Sequence, residues 1–313
     1  MSVELPTGQR GLALPLIAEN AAIALVEGNS ATSLALTTGS VDPRPALTAG
    51  RSYYVEVVSG PFEGERIDLD LAATLGGDGK ILALRLGAGS SSTLGSLNVD
   101  TLAGARCVVR PHVTLSSLQT MVSPSLVGRS RGATDGVQLF EGGGFVRYHL
   151  NADGATWSRP GNSTADYRNL VIAPDTSVIV ELSSGAKRWT QAGVVRTNAF
   201  RKNLVAGEQS FASGFPQDLS FVDAGGFVDP SAPAASRWTG AAKQENADWF
   251  ERRGVSTTMP FNRYFLREDG TTWQRVNKTT NVAHERLLDA TDMFVLRRLK
   301  SDAGYVIPVP FVL

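Results

Sequence analysis

Residues 145–159 read FVRYHLNADGATWSR, and residues 261–275 read FNRYFLREDGTTWQR. Nine of these fifteen positions are identical, 116 residues apart, which composition alone does not produce. The chain therefore carries a duplicated segment, and the form of that segment decides the fold. In each copy a run rich in large residues meets an Asp-Gly pair and leaves through a second run closed by Trp and Arg. This is the pattern of two antiparallel strands joined by a tight turn.

Two registers are open. A three-residue loop with glycine in the left-handed conformation sets His149 against Trp157, Tyr148 against Ser158 and Arg147 against Arg159. Arg147, Trp157 and Arg159 then share one face, as do Arg263, Trp273 and Arg275 in the second copy. An indole flanked by two guanidiniums makes a platform for a sugar ring or another subunit, each exposed cation–π contact contributing about 0.5–1 kcal/mol. A four-residue loop pairs Tyr148 with Trp157 and turns that face into core. A repeated Tyr, Trp and Gly also fits a duplicated packing unit with no ligand.

The match extends at the same spacing, VIAPDTSVIVEL (171–182) lying over LLDATDMFVLRR (287–298). Upstream, ATDGVQLF (133–140) resembles ENADWFER (245–252) more loosely. The organisation this predicts is an N-terminal β domain over 1–111, a first copy of the β unit over 112–215 and a second over 216–313. Two copies are too few for a solenoid, which needs about three repeats. A pseudo-symmetric pair of sheets fits better.

The rest of the chain has the same character. Thirty-two glycines and fifteen prolines punctuate short Val/Ile/Thr/Tyr/Phe runs, so the expected fold is mainly β, with antiparallel sheets in sandwich or barrel-like domains. Strands are expected at 52–58, 65–71, 80–86, 105–111, 176–182 and 292–298. In the second of these Ile67, Leu69 and Leu71 alternate with Arg66, Asp68 and Asp70, which predicts a half-buried strand. Short helices are expected at 114–121, 244–253 and 282–290, and long loops or boundaries at 122–136 and 223–243.

Length and charge bound the function. The 313 residues, 42% hydrophobic and 19% charged, allow two or three domains with real cores. Thirty basic residues balance thirty acidic ones, so no global field favours nucleic acid or an anionic membrane. Residues 1–100 carry 6 basic against 11 acidic side chains and the remainder 24 against 19, a split that either attracts between subunits or reflects ordinary solvated faces. The single cysteine, Cys107, excludes an internal disulfide and a thiolate cluster and reads as a buried strand thiol. No apolar stretch reaches the roughly 18 residues of a transmembrane helix. Residues 1–28 lack the basic start, apolar core and cleavage site of a signal peptide.

Motifs for chemistry are weak. GRSRG (128–132) fits the G-x-S-x-G pattern around Ser130, but its flanks read as loop where a nucleophile elbow needs a strand and then a helix. GGDGK (76–80) lacks the P-loop spacing and reads as a turn before a strand. His112, His149 and His284 stand in no paired ligand spacing. Asp68, Asp70 and Asp78 with Glu63 and Glu65 form the densest acidic cluster, without the loop spacing of an EF-hand. The expectation is a protein with no catalytic set, no metal and no cofactor.

The order of elements resembles a known family. RSYYVEVVSGPFEGERIDL (51–69), CVVRPHVTLSSL (107–118), the first Tyr–turn–Trp–Arg hairpin with IAPDTSVIV (172–180), GVVRT (193–197) and the second hairpin resemble an uncharacterised bacterial family known mainly from Verrucomicrobia and relatives. The resemblance covers nearly the whole chain and implies export, but it supplies no activity, cofactor or catalytic residue. The function expected is that of a non-enzymatic extracellular structural or assembly protein, a surface-layer, sheath or filament subunit that self-associates. The apolar end YVIPVPFVL (305–313) is a candidate for adding to a neighbour's sheet edge. The alternative is a carbohydrate-binding module using the Trp and Arg faces.

Overall fold

The computed structural model describes residues 1–14, 16–87, 90–128, 134–162, 164–174, 176–227, 237–253 and 262–310, with the backbone alone at 302–304. The chain is mainly β, in antiparallel sheets, with two short helices among the described residues. None of those helices is long and apolar enough to cross a membrane.

Strands β1 (Ser2–Leu5) and β2 (Gly8–Leu12) open the chain. Six more follow: β3 (Ala22–Asn29), β4 (Ser33–Leu36), β5 (Tyr53–Val57), β6 (Arg66–Leu69), β7 (Ile81–Arg85) and β8 (Arg106–Pro111). They close into a barrel in the order β3-β4-β7-β6-β5-β8. Its lumen is filled at every second position, by Ala24, Val26, Leu34, Leu36, Val55, Val57, Ile67, Leu69, Leu82, Leu84, Cys107 and Val109. Cys107 is therefore a core residue, and burial pushes its thiol up to about 12.

Next come β9 (Val113–Thr114), β10 (Val122–Ser123), β11 (Gly136–Glu141), β12 (Gly144–Leu150), β13 (Trp157–Ser158), β14 (Val171–Ile172), β15 (Val178–Leu182) and β16 (Lys187–Thr190). The last group is β17 (Phe200–Leu204), β18 (Gly207–Phe211), β19 (Trp249–Arg253), β20 (Asn262–Leu266), β21 (Trp273–Arg275), β22 (Met293–Arg298) and β23 (Asp302–Ile307). Two five-stranded sheets result, in the orders β13-β12-β11-β15-β2 and β21-β20-β19-β22-β18. The orders correspond strand for strand.

That correspondence moves the expected boundaries. β2 pairs with β15 and β1 with β16, so the first residues of the chain belong to the first copy rather than to an N-terminal domain. Likewise β18 pairs with β22 and β17 with β23, which assigns residues 200–211 to the second copy. The repeat thus starts at β1–β2 and again at β17–β18, and the barrel is an insertion into the first copy between β2 and β9. Leu5 and Leu204 are both buried, and Gly8 and Gly207, three residues on, share φ = +104°. A left-handed backbone at that point favours glycine.

The copies agree in detail. A buried Asp precedes the central strand of each sheet, β11 or β19: Asp135 accepts from the backbone N–H groups of Val127 and Ser183, and Asp248 from those of Thr239 and Leu299. The upstream match is therefore shifted by one residue, with Asp135 over Asp248. A methyl group on Gly128 would lie 1.8 Å from the Asn151 carbonyl oxygen, and one on Gly240 1.9 Å from that of Arg267. Both loops press onto the hairpin at the same point, where only glycine fits. Thr114 and Ser117 hydrogen-bond each other's backbone N–H, as do Ser220 and Asp223.

Contacts between the copies are reciprocal. Gly11 of the first packs against Met293 of the second, and its counterpart Ser210 hydrogen-bonds Ser177, the counterpart of Met293, at 2.7 Å. Trp249, Phe265, Met293 and Val295 meet Phe145 and Ile179 in an apolar seam. Each copy keeps a separate core on the other face of its sheet.

Helix α1 (Leu71–Gly76) and helix α2 (Leu115–Gln119) are both capped, by Asp70 and Thr114 respectively. Only α2 falls where a helix is expected. Residues 244–246 form one 3-10 turn and 249–253 are strand β19, since Phe250 and Glu251 must register with both β20 and β22. Residues 282–290 are turns around a bridge from Leu288 to Leu219. The terminal segment pairs within its own copy, Ile307 against Phe200 and Tyr305 against Lys202; residues 311–313 lie outside the described residues.

Candidate functional site

The repeated hairpin closes through a four-residue loop. The Asn151 N–H donates to the Thr156 carbonyl and the Gly154 N–H to the Asn151 carbonyl, with the same two bonds at Arg267/Thr272 and Gly270/Arg267. Gly154 and Gly270 take φ of +68° and +72°. The Asp before each glycine caps the turn: Asp153 accepts from the N–H groups of Ala155 and Thr156, and Asp269 from those of Thr271 and Thr272. Hydrogen bonds from the threonine side chains and backbone hold both carboxyls down at about 2.

This loop sets Leu150 opposite Trp157 and His149 opposite Ser158, and in the second copy Leu266 opposite Trp273 and Tyr264 opposite Arg275. Neither expected set of pairs is the observed one. Trp157 and Trp273 face inward and are 0% exposed, Trp273 stacking on Phe221 at 4.5 Å between ring centres. The exposed indole platform is thereby corrected: each Trp is one of two indoles buried in its own core. Arg159 and Arg275 lie at the sheet margin on the same side, Arg159 5.4 Å over the Tyr167 ring. Arg147 and Arg263 lie on the opposite face, beside the seam between the copies. Arg147 pairs with Glu181; Arg263 pairs with Glu251 and stacks 4.0 Å over Trp249. The six residues do not form one surface.

The polar chemistry concentrates instead where the barrel meets the two copies. Strand β5 turns Tyr53, Val55 and Val57 into the lumen and Glu56 outward, yet Glu56 is 0% exposed. Its carboxylate accepts from Arg110 Nε at 2.8 Å and Asn198 Nδ2 at 3.2 Å, and it pairs closely with Arg196 from the segment linking the copies. Burial lowers the Arg196 guanidinium to about 10, so it stays charged near neutrality beside Glu56. Nearby, Gly64 abuts the Ala199 carbonyl and Arg201 donates to the carbonyls of Glu63 and Pro61.

Strand β6 is buried on both faces, against the half-buried expectation, because loop 91–93 and Phe200 cover its polar side. Arg66 lies 4.5 Å over the Phe200 ring. Asp68 accepts from Ser91 Oγ at 2.5 Å and Arg85 at 3.1 Å, and it contacts His112 Nε2 at 3.0 Å. Burial opposes its ionisation, but hydrogen bonds from His112 and Ser91 outweigh it and hold the carboxyl well below the usual range. The acidic cluster read from the sequence disperses onto separate partners. Asp70 caps α1, Asp78 takes the Lys80 N–H, Glu63 the Ala199 N–H and Glu65 the Thr93 hydroxyl.

His112 lines an open cleft of about 320 Å³ between the barrel and the first copy. The other walls are Ala49–Ser52, Thr114, the α2 residues Ser116 and Ser117, Thr120 and Asn169. Its Nδ1 is buried without a hydrogen-bond partner among the described residues. Sequence reading missed this pairing because Asp68 and His112 are 44 residues apart. His149 lies on the outer face of β12, burial and the nearby Arg147 lowering its pKa, and His284 is exposed. Ser130 lies outside the described residues. Among the described residues no group of three His, Cys, Asp or Glu side chains could hold a metal ion.

These features describe a mainly β protein with two five-stranded sheets of matching strand order and one closed barrel, braced by buried ion pairs. Comparison with protein-family models, with curated proteins and with solved structures returns no match.

Proposed function

We propose that this chain is a non-enzymatic structural protein of the cell exterior that works by self-association, as a subunit of a surface layer, sheath or filament. The observation that carries this reading is the Glu56 joint. A carboxylate between two buried guanidiniums, one from the barrel and one from the segment between the copies, ties the modules into one block. Fixed geometry between modules is what a repeating subunit requires, because any hinge would spread the lattice angle. The outer wall of β3, β4 and β7 supplies a contact face for a second copy. Ile23 and Leu25 are each 47% exposed there, and Ile81 is 42% exposed. The exterior location is supported by the resemblance to exported bacterial proteins.

Light scattering and negative-stain microscopy across a concentration series test the reading. Polymers or closed rings are expected, shifting to smaller species when Ile23 and Leu25 are both replaced by Lys. A strict monomer at the highest concentration would overturn it.

A further inference from the structure

We infer that the cleft beside His112 binds a small oxyanion, the carboxylate or phosphate group of a compact ligand. Volume comes first: about 320 Å³ sits at the small end of natural ligand sites. The walls are rich in donors and hold no carboxylate. Arg51 stands exposed at the rim, 6.0 Å over the Tyr53 ring. Ser52, Ser116 and Asn169 line the cleft, and their side chains make no hydrogen bond within the described chain.

His112 supplies the second, independent observation. It is 5% exposed, and its ring is fixed on two sides, by Asp68 at Nε2 and by Tyr54 with ring centres 4.8 Å apart. The remaining nitrogen, Nδ1, is buried and unpartnered. A buried ring nitrogen without a partner costs stability unless something completes it. An oxyanion would take its hydrogen bond from Nδ1 while Asp68 holds the ring from behind, as in other sites where a carboxylate orients a histidine. The charged and titratable groups around the ring are Asp68 of β6, with Arg85 of β7 on that same carboxylate, Tyr54 of β5, and Arg51 at the rim.

The test is a chemical-shift titration of the full chain with inorganic phosphate and, separately, acetate. Saturable shifts are expected at Ser52, His112, Ser116 and Asn169. Arg51→Gln, an exposed change that spares the fold, should weaken binding about tenfold, the loss of one charge-assisted hydrogen bond. His112→Gln, which removes the buried Nδ1, should weaken binding as well. Saturation by phosphate alone assigns a phosphorylated ligand, and saturation by acetate assigns a carboxylate. No saturable shift at these residues with either anion, or binding indifferent to both Arg51→Gln and His112→Gln, would overturn the inference.

Discussion

At the residue scale, identity between the copies marks packing positions. Trp157 and Trp273 are the same residue in the same register with no exposure, so their repetition preserves two cores rather than two binding faces. Trp157→Ala and Trp273→Ala should each cost about 3–5 kcal/mol, the range for truncating a buried Trp. Urea unfolding of the two variants checks this; a loss under about 1 kcal/mol would contradict the burial. The polar residues behave in the opposite way. Asp68 and His112 look unremarkable in sequence, and their pairing exists only because β6 and the end of β8 face the same covered side of the barrel.

At the element scale, the hairpin's Asp-Gly pair was legible, and the length of its loop was not. Both loop lengths use glycine with positive φ, and the choice between them came from the core, which needed Leu150 and Trp157 on one side. The caps make a pH prediction. The folded-state values of Asp153 and Asp269 lie at about 2, below the ordinary 3.8, so their contribution is present above that value and is lost as pH falls toward 2. The melting-temperature gap between the wild type and the Asp153→Asn, Asp269→Asn double variant should be constant at higher pH and close across that window. A gap independent of pH would show that the charge contributes nothing. Helix reading failed at 244–253 for a related reason. Trp249, Phe250 and Glu251 carry no strong preference, and pairing on both sides of β19 overrides a weak helical pattern.

At the scale of the whole molecule, three modules are held by few but deeply buried charges. Replacing Glu56 with Gln leaves the Arg110 and Arg196 guanidiniums in the joint without their carboxylate. Breaking a buried pair in this way costs about 3–5 kcal/mol. The expected result is a fall of that size in unfolding free energy, measured by denaturant titration. An unchanged midpoint would mean that the cations find other partners and that the modules do not depend on the joint.

The sequence by itself determined that the protein is mainly β, that one hairpin segment occurs twice, and where the hairpins and four of the six barrel strands run, because turn residues and period-two patterns are local properties. It did not reveal that β1 and β2 complete the first copy, that a barrel is inserted between β2 and β9, or that Glu56, Asp68 and Arg196 are buried. Those facts were decided by the tertiary structure. Strand pairing across 160 or more residues, as between β2 and β15, depends on which edges remain free once every sheet has formed, and no local pattern encodes that.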